Sequence, residues 1–182
     1  ARNCLVRNCK ELGLGSSEQY RTAIVMVQSG AMLINCTIVS NVNESAASVP
    51  SSGGVVVTKN DWDQWKGSVK NCIIWGNTAK NADSSNWAGL AGVEACFSYC
   101  CTTPALSDEH SIAVDPMFRH PEKEDGKLKG SSPCAKAGFY DTTVLDENTL
   151  DLYGQPLVNS KGRVPMGCVR CDPTGMMILF FQ

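Results

Sequence analysis

The chain has 182 residues, of which 43% are hydrophobic and 19% are charged, and its formal net charge is −2. This length and hydrophobic fraction are enough for one domain with a sizeable core, or for one domain with an appendage. There is no block of like charge, which argues against binding to nucleic acid or to an anionic membrane surface, since both require a basic surface.

The first ten residues, ARNCLVRNCK, lack the apolar core and the cleavage motif of a signal peptide. They resemble the interior of a repeat. We therefore expect the chain to be the C-terminal part of a longer protein whose export signal has been removed. No apolar stretch reaches the ~20 residues that a membrane-spanning helix requires.

A short Asn-Cys motif recurs along the first half of the chain. INCTIVSN (34–41) and KNCIIWGN (70–77) align without a gap, RNCLVRN (2–8) is a shortened copy, and EACFSYC (94–100) is interpreted as a degenerate fourth copy. A repeat period of 20 to 50 residues is typical of solenoids. The unequal steps indicate connecting loops of different lengths, because the aligned cysteines are at positions 4, 36, 72 and 96.

The repeated units have the composition of β-strands. They are rich in Ile, Val, Thr and Trp and are bounded by Asn and Gly. Further strands are predicted at 22–28 and 53–59, and no stretch of ten or more residues has helical periodicity with caps. We predict an all-β fold, a right-handed parallel β-helix (solenoid) of about four turns, with adjacent turns ~4.8 Å apart.

Stacked turns place identical residues above one another, which predicts side-chain ladders. Asn35 and Asn71 are expected at a bend, since Asn tolerates left-handed backbone geometry and its amide can bond to the amide above. Cys36 and Cys72 are expected inside as neighbouring free thiols, because stacked side chains are parallel. Strand alternation places two further residues inside, Ile38 and Ile74, and four outside, Thr37, Val39, Ile73 and Trp75.

The loop KNDWDQWKG (59–67) is the main candidate for ligand binding. It places Trp62 and Trp65 beside Asp61 and Asp63. Exposed indoles form flat apolar platforms for sugar faces, and carboxylates bind hydroxyls. Trp75, together with Trp87, would extend this platform along the outer wall. Two alternatives stay open: the tryptophans pack the loop onto the core, or the two aspartates have a catalytic or calcium-binding role.

After residue 106 the repeat stops and turn signals dominate, in DPMF (115–118), GKLKGSSPCAKAG (126–138) and LDLYGQPLVNSKGRVPMGC (150–168). A solenoid requires a cap with a polar outer face. We therefore predict β-helix turns at 1–106, a loop-rich C-terminal cap at 107–171, and an apolar tail at 172–182 that forms an edge strand.

The order of NCTIVSN, NCIIWGNTA, DPMF, GSSPCAKAG, DLYGQPLV and GRVPMG resembles the C-terminal end of bacterial right-handed parallel β-helix proteins of the choice-of-anchor Q domain-containing type, which have a pectate-lyase-like superfold. The resemblance covers about residues 33–171. It implies a bacterial protein that is secreted or attached to the cell surface. It also implies an alternative for the apolar tail 172–182, which would be the remnant of an anchoring or sorting element instead of an edge strand. Lys136, Tyr153, Gln155 and Pro165 depart from the family pattern, and the resemblance implies a scaffold rather than an activity.

Ten cysteines in a polar chain indicate either disulfides in an oxidising compartment or buried free thiols. Cys134 paired with Cys168 or Cys171 is the preferred staple, since a loop-rich cap has little core of its own. Cys168 and Cys171 form a single CxxC motif far from His110 and His120, which are expected to be surface or half-buried histidines. We therefore predict no metal site and no cofactor.

Three functional hypotheses follow. The repeated strands lack the paired carboxylates that glycoside hydrolysis requires, which favours a non-enzymatic extracellular or cell-surface module, structural or adhesive, whose partner is a polysaccharide or a surface protein. The second hypothesis is a fragment of a polysaccharide lyase or glycoside hydrolase. The third is a processed piece of a larger surface protein that associates with other chains through an open β-helix end, where strands are unpaired.

Overall fold

A computed structural model of the chain describes residues 1–12, 23–28, 30–44, 51–58, 67–80, 85–89, 92–123, 125–159 and 161–171. These residues contain no α-helix, and their regular structure consists of short strands and two 3-10 turns, Val93–Cys96 and Pro133–Lys136. The prediction of an all-β fold is confirmed. The strands are β1 (Leu5–Arg7), β2 (Lys10–Glu11), β3 (Ala23–Val27), β4 (Met32–Ile34), β5 (Thr37–Val39), β6 (Val42–Asn43), β7 (Ser52–Val57), β8 (Ser68–Lys70), β9 (Ile73–Trp75), β10 (Thr78–Ala79), β11 (Trp87–Gly89), β12 (Phe97–Ser98) and β13 (Cys101–Thr102).

The strands form four parallel sheets. Their orders are β1-β5-β9-β13, β2-β6-β10, β3-β7-β11 and β4-β8-β12. Every pair joins strands that are four apart in chain order, so the chain visits the four sheets in turn and then returns to the first. The register is direct, with Leu5 opposite Thr37, Thr37 opposite Ile73 and Ile73 opposite Cys101. This arrangement of stacked parallel strands is compatible with a parallel β-helix.

The register corrects the position of the fourth repeat. Because Cys101 pairs with Ile73, the residue stacked on Cys72 is Cys100 and not Cys96. Cys96 instead closes the 3-10 turn Val93–Cys96. Alignment by cysteine alone failed here because Tyr99 replaces the Asn of the motif and because two cysteines are adjacent in this copy.

A left-handed residue precedes each stacked cysteine. The φ angles are +52° at Asn3, +48° at Asn35, +54° at Asn71 and +52° at Tyr99. Asn occupies this region more readily than most residues, because its short polar side chain can hydrogen-bond locally. Asn71 Nδ2 donates to Asn35 Oδ1 at 3.3 Å, so these two amides stack at one bend of the chain.

A second row of asparagines lies where the repeated motif ends. Asn41 Nδ2 donates to Asn77 Oδ1 at 2.9 Å, and Asn77 Nδ2 donates to Asn86 Oδ1 at 3.1 Å. Asn86 Nδ2 in turn donates to the carbonyl oxygen of Thr103 at 3.0 Å. All three asparagines are buried. The closing Asn of both motif copies is visible in the sequence, but Asn86 lies outside the motif and could not be aligned.

The interior between the sheets is apolar and follows the predicted alternation. Cys36 and Ile38, like Cys72 and Ile74 in the next turn, are fully buried in one cluster. Cys100 belongs to the same cluster, which includes valines of the neighbouring strands, Val27, Val55, Val57 and Val69. The alternation along each strand therefore places every second side chain in a common core.

The opposite face of the same strands is buried as well, which corrects the expectation that it faces outward. Thr37 and Ile73 are 0% exposed and Val39 is 6% exposed. Ile73 and Cys101 belong to a second cluster with Leu128, Cys134 and Met166 of the C-terminal half. The strands are therefore covered on both faces, and the second layer comes from residues that follow the repeat.

Residues 107–171 first continue the stack and then lie along its side. Ile112 forms a parallel bridge with Cys101. Further along, Gly167 N donates to the carbonyl oxygen of Asn71 at 2.8 Å. A Cβ at Gly167 would lie 2.7 Å from Thr37 Oγ1 and 2.8 Å from Ile73 Cδ1, so this contact requires glycine.

Polar contacts between the C-terminal half and three successive turns follow the same side of the stack. Asn3 Nδ2 donates to the carbonyl oxygen of Leu150 at 2.7 Å, and Asn35 Nδ2 donates to that of Pro165 at 2.9 Å. Lys70 Nζ contacts Asp141 at 2.9 Å. The predicted boundaries at residues 106 and 171 stay predictions, and the tail 172–182 lies outside the described residues. No helix in the described part of the chain has the length and apolar character needed to cross a membrane.

Candidate functional site

The predicted ligand loop lies outside the described residues, so four of its candidate residues, Asp61, Trp62, Asp63 and Trp65, carry no structural statement. The fifth, Trp75, is described. It is the last residue of β9 and is half-buried. Trp75 lines a surface groove of about 310 Å³ between the repeat strands and the C-terminal half. This groove is the candidate site.

The two walls of the groove come from opposite halves of the chain. On one side lie the ends of β5 and β9 with the bends that follow them, at Ser40 and Gly76. On the other side lie residues of the segment 115–121, together with Gly126 and Lys129. Trp75 and Phe118 both pack against the cluster that contains Ile73 and Cys101. The full set of described lining residues is Val39, Ser40, Trp75, Gly76, Asp115, Met117, Phe118, His120, Pro121, Gly126 and Lys129.

The second wall is held by the DPMF segment. Asp115 Oδ1 accepts a hydrogen bond from Met117 N at 2.8 Å, and Met117 has a φ of +56°. The carbonyl oxygen of the buried Pro116 accepts from Ser132 Oγ at 2.6 Å. Phe118 forms an antiparallel bridge with Leu128. These contacts fix Met117 and Phe118 opposite the repeat strands, whereas the sequence indicated only a turn at this position.

The groove combines aromatic surface with a few polar groups. Trp75 and Phe118 supply the aromatic surface, and Asp115, His120 and Lys129 supply polar and charged groups. Asp115 is the one carboxylate among the described lining residues. In the described part of the chain, no group of three or more His, Cys, Asp or Glu side chains is arranged to hold a metal ion. The groove is therefore suited to binding a partly apolar, hydroxylated ligand.

The two histidines have different surroundings. His110 is exposed and its ring stacks on Tyr99 at a centroid distance of 4.6 Å. His120 is half-buried, and its Nδ1 lies 3.5 Å from Glu122 Oε1. The structure therefore brings only His120 to the groove.

Trp87 does not extend the platform, which corrects the expectation for this residue. Its side chain is 8% exposed and belongs to the interior cluster. Its ring packs against Phe97 with centroids 5.5 Å apart, and its Nε1 donates to the carbonyl oxygen of Pro104 at 3.2 Å. Trp87 is the first residue of β11 and points into the core, opposite Val55 in register.

All ten cysteines fall within the described residues, and each is a thiol. Cys134 is buried beside Cys101, and the hydrogen bond between these two thiols, together with burial, raises the pKa of Cys101. Burial raises the pKa of Cys168 to about 12. Cys171 Sγ lies 3.3 Å from the carbonyl oxygen of Lys129. The predicted staple between Cys134 and Cys168 or Cys171 is not present, and apolar packing holds this region instead.

Comparison with family models finds none that matches the chain, and no curated protein or solved structure matches it.

Proposed function

We propose that this chain is a right-handed parallel β-helix module of a bacterial cell surface or secreted protein, that it is not an enzyme, and that it binds glycans through the Trp75 groove. The single observation that carries the binding proposal is the half-buried indole of Trp75 in a groove that also presents Phe118, Asp115 and His120.

The β-helix is supported by the cyclic order of the strands. Each sheet takes every fourth strand and all pairs are parallel. A connection between neighbouring parallel strands of one sheet has to cross over, and such crossovers are right-handed in about 98% of cases. A chain that repeats this crossover turn after turn coils into a right-handed solenoid.

Glycan binding is supported by the chemistry of the groove. The faces of sugar rings carry C–H groups that pack on indole and phenyl rings, while their hydroxyls require hydrogen-bonding groups at the rim. Trp75 and Phe118 provide the first kind of contact. Asp115, His120 and Lys129 provide the second.

The enzyme alternative requires two carboxylates about 5–10 Å apart. Among the described lining residues the groove offers Asp115 alone, and Asp61 and Asp63 lie outside the described residues. A polysaccharide lyase or hydrolase would release new reducing or unsaturated ends, whereas a binding module would not. Product release therefore separates the two functions.

Assembly with other chains is a second candidate, and the first turn supports it. In three sheets of the described residues the first strand, β1, β2 or β3, lies at an edge, whereas residues 1–3 pair with the outer side of β4. Met26, on the edge strand β3, is 43% exposed. Exposed strand edges favour pairing with another chain. Sedimentation velocity at increasing concentration would detect such association.

The binding proposal is tested with a panel of plant, algal and host polysaccharides. Retention of the protein and release of new chain ends are followed together, for wild type and for Trp75→Ala. We expect retention without products, and about tenfold weaker binding for Trp75→Ala, because a lost aromatic contact of about 1.5 kcal/mol corresponds to a factor of ten.

Phe139→Ala is the matched control, since Phe139 is an aromatic residue of 42% exposure outside the groove. Its binding should equal that of wild type. Release of products by the wild-type protein would refute the binding module and support the enzyme alternative. The proposed glycan binding would be refuted if Trp75→Ala were retained as strongly as the wild type, or if no polysaccharide retained the protein.

A further inference from the structure

A second cavity adjoins the Trp75 groove. It has a volume of about 380 Å³ and lies between residues 119–130 and 151–170. Lys129 lines both the cavity and the groove, so the two sites meet at this side chain. We call the cavity the basic pocket, since four of its lining residues are cationic: Arg119, Lys127, Lys129 and Arg170.

The one carboxylate of the basic pocket is engaged by the backbone. Asp151 is 7% exposed, and its Oδ1 accepts from Tyr153 N at 2.8 Å and from Gln155 N at 2.9 Å. Its Oδ2 accepts from the backbone N of Arg170 at 2.9 Å. Asp151 therefore holds the two loops of the pocket together, and it makes no ion pair with any of the four cations within the described residues.

The four cations are weakly neutralised. Lys127 Nζ lies 3.8 Å from Asp125 Oδ2 and 4.6 Å from the centroid of the Tyr153 ring. Arg170 donates from Nη1 to the carbonyl oxygen of Pro156 at 3.4 Å, and its buried Nε has no hydrogen-bond partner in the described part of the chain. Arg119 and Lys129 are exposed and form no ion pair there.

The basic pocket is positively charged, although the chain as a whole is negatively charged. Four lining cations face one carboxylate, whereas the whole chain has a net charge of −2. A concave site lined by one sign of charge concentrates its potential and attracts counter-charged ligands. Arginine and lysine side chains bind carboxylate and sulfate oxygens through charge-assisted hydrogen bonds.

We propose that the basic pocket binds an oxyanion, the sulfate or carboxylate substituent of the glycan whose sugar face contacts Trp75. The identification of the ligand as a glycan rests on the proposed function, whereas the binding of an oxyanion does not. The chemistry shared by the two substituents is a compact group of anionic oxygens. Lys129, between the two sites, contacts the sugar that joins them, so that ligand recognition depends on charge as well as on the aromatic platform.

The test measures dissociation constants by calorimetry for a sulfated oligosaccharide, its desulfated counterpart, a uronic oligosaccharide and inorganic sulfate. We expect at least one anionic oligosaccharide to bind ten times more tightly than the desulfated one at low salt, with the difference shrinking as salt rises, because salt screens charges. Whichever of the sulfated and uronic ligands binds more tightly identifies the substituent.

The double variant Arg119→Gln/Lys127→Gln should weaken binding of the anionic oligosaccharide by more than about tenfold, since each charge-assisted contact is a large part of the affinity. The control is Lys80→Gln/Lys136→Gln, which removes the same charge from exposed positions outside the pocket. A thermal unfolding midpoint equal to that of wild type shows that the double variant is folded.

The two proposals fail in different ways. Neutral and anionic oligosaccharides that bind equally, with Trp75→Ala still weakening both, would overturn the basic pocket and leave the proposed function standing. Inorganic sulfate that binds wild type and Trp75→Ala alike but not Arg119→Gln/Lys127→Gln would support the basic pocket even if no glycan is retained. Anionic binding that is unchanged in the double variant would overturn the inference.

Discussion

Replacement of Asn71 tests how the C-terminal half attaches to the repeat. Its Nδ2 donates to the carbonyl oxygen of Phe139 at 2.8 Å and to Asn35 Oδ1 at 3.3 Å. Its Oδ1 accepts from Phe139 N at 2.8 Å. Asn71 is 0% exposed and has a φ of +54°. One side chain therefore joins two turns of the stack to the segment that covers them.

The magnitude follows from three hydrogen bonds of the Asn71 side chain, one buried and two part-buried, and from one strained backbone position. Each hydrogen bond contributes about 1 kcal/mol net, and the left-handed region costs an alanine about 1 kcal/mol. Asn71→Ala should therefore lower the free energy of unfolding by about 4 kcal/mol. Asn71→Gly removes the same bonds without the steric strain and should lower it by about 3 kcal/mol.

Urea unfolding at pH 7, followed by far-UV circular dichroism and tryptophan fluorescence, measures these differences. Asn148→Ala is the control, because Asn148 is exposed and only its backbone N takes part in a described hydrogen bond. Its effect should stay within about 0.5 kcal/mol. A loss below about 1 kcal/mol for both Asn71 variants would refute the proposed attachment, and the glycine variant remains measurable if the alanine variant does not fold.

Two further predictions concern charge and thiols. The hydrogen bond from the Thr143 hydroxyl and, to a lesser extent, the hydrogen bond from Lys70 lower the pKa of Asp141 to about 2. Asp141→Asn should therefore lower the free energy of unfolding at pH 7 by about 1 kcal/mol, the upper end of the range for a partly exposed ion pair. This loss should be complete above pH ~4 and disappear as the pH falls through about 2, which urea unfolding between pH 2 and 7 measures. With a thiol reagent at pH 8, native protein should react rapidly at the exposed Cys9 and much more slowly at the buried Cys72, because burial raises the pKa of Cys72 and the thiolate is the reactive form. Denatured, non-reduced protein should show ten thiols, and a lower number would contradict the structure.

The parts of the fold that depend on local repetition could be predicted from the sequence. The Asn-Cys motif indicates parallel stacking because equal residues recur at equal positions, and alternation in 36–38 and 72–74 indicates which side chains face the interior. These are short-range patterns. The all-β class and the strands near 22–28 and 53–59 follow from the same composition.

The rest depends on contacts between residues far apart in the chain. Nothing local in TIVS or IIWG indicates that Thr37 and Ile73 are buried, because the cover comes from residues such as Leu128 and Met166. The groove wall at Phe118 likewise depends on contacts between distant residues. The sequence does not determine the face of Trp87, because a large aromatic residue in a short strand fits either face and packing against Phe97 decides which one.

The central claim is that strands of successive turns pair in parallel at the described register, and inter-strand nuclear Overhauser effects test it most directly. In labelled protein we expect close backbone proton contacts that link residues 37–39 to residues 5–7 and 73–75, and residues 32–34 to residues 68–70. Contacts that instead pair 32–34 with 37–39 in antiparallel register, as in a hairpin, would contradict the stacked-turn fold and every site built on it.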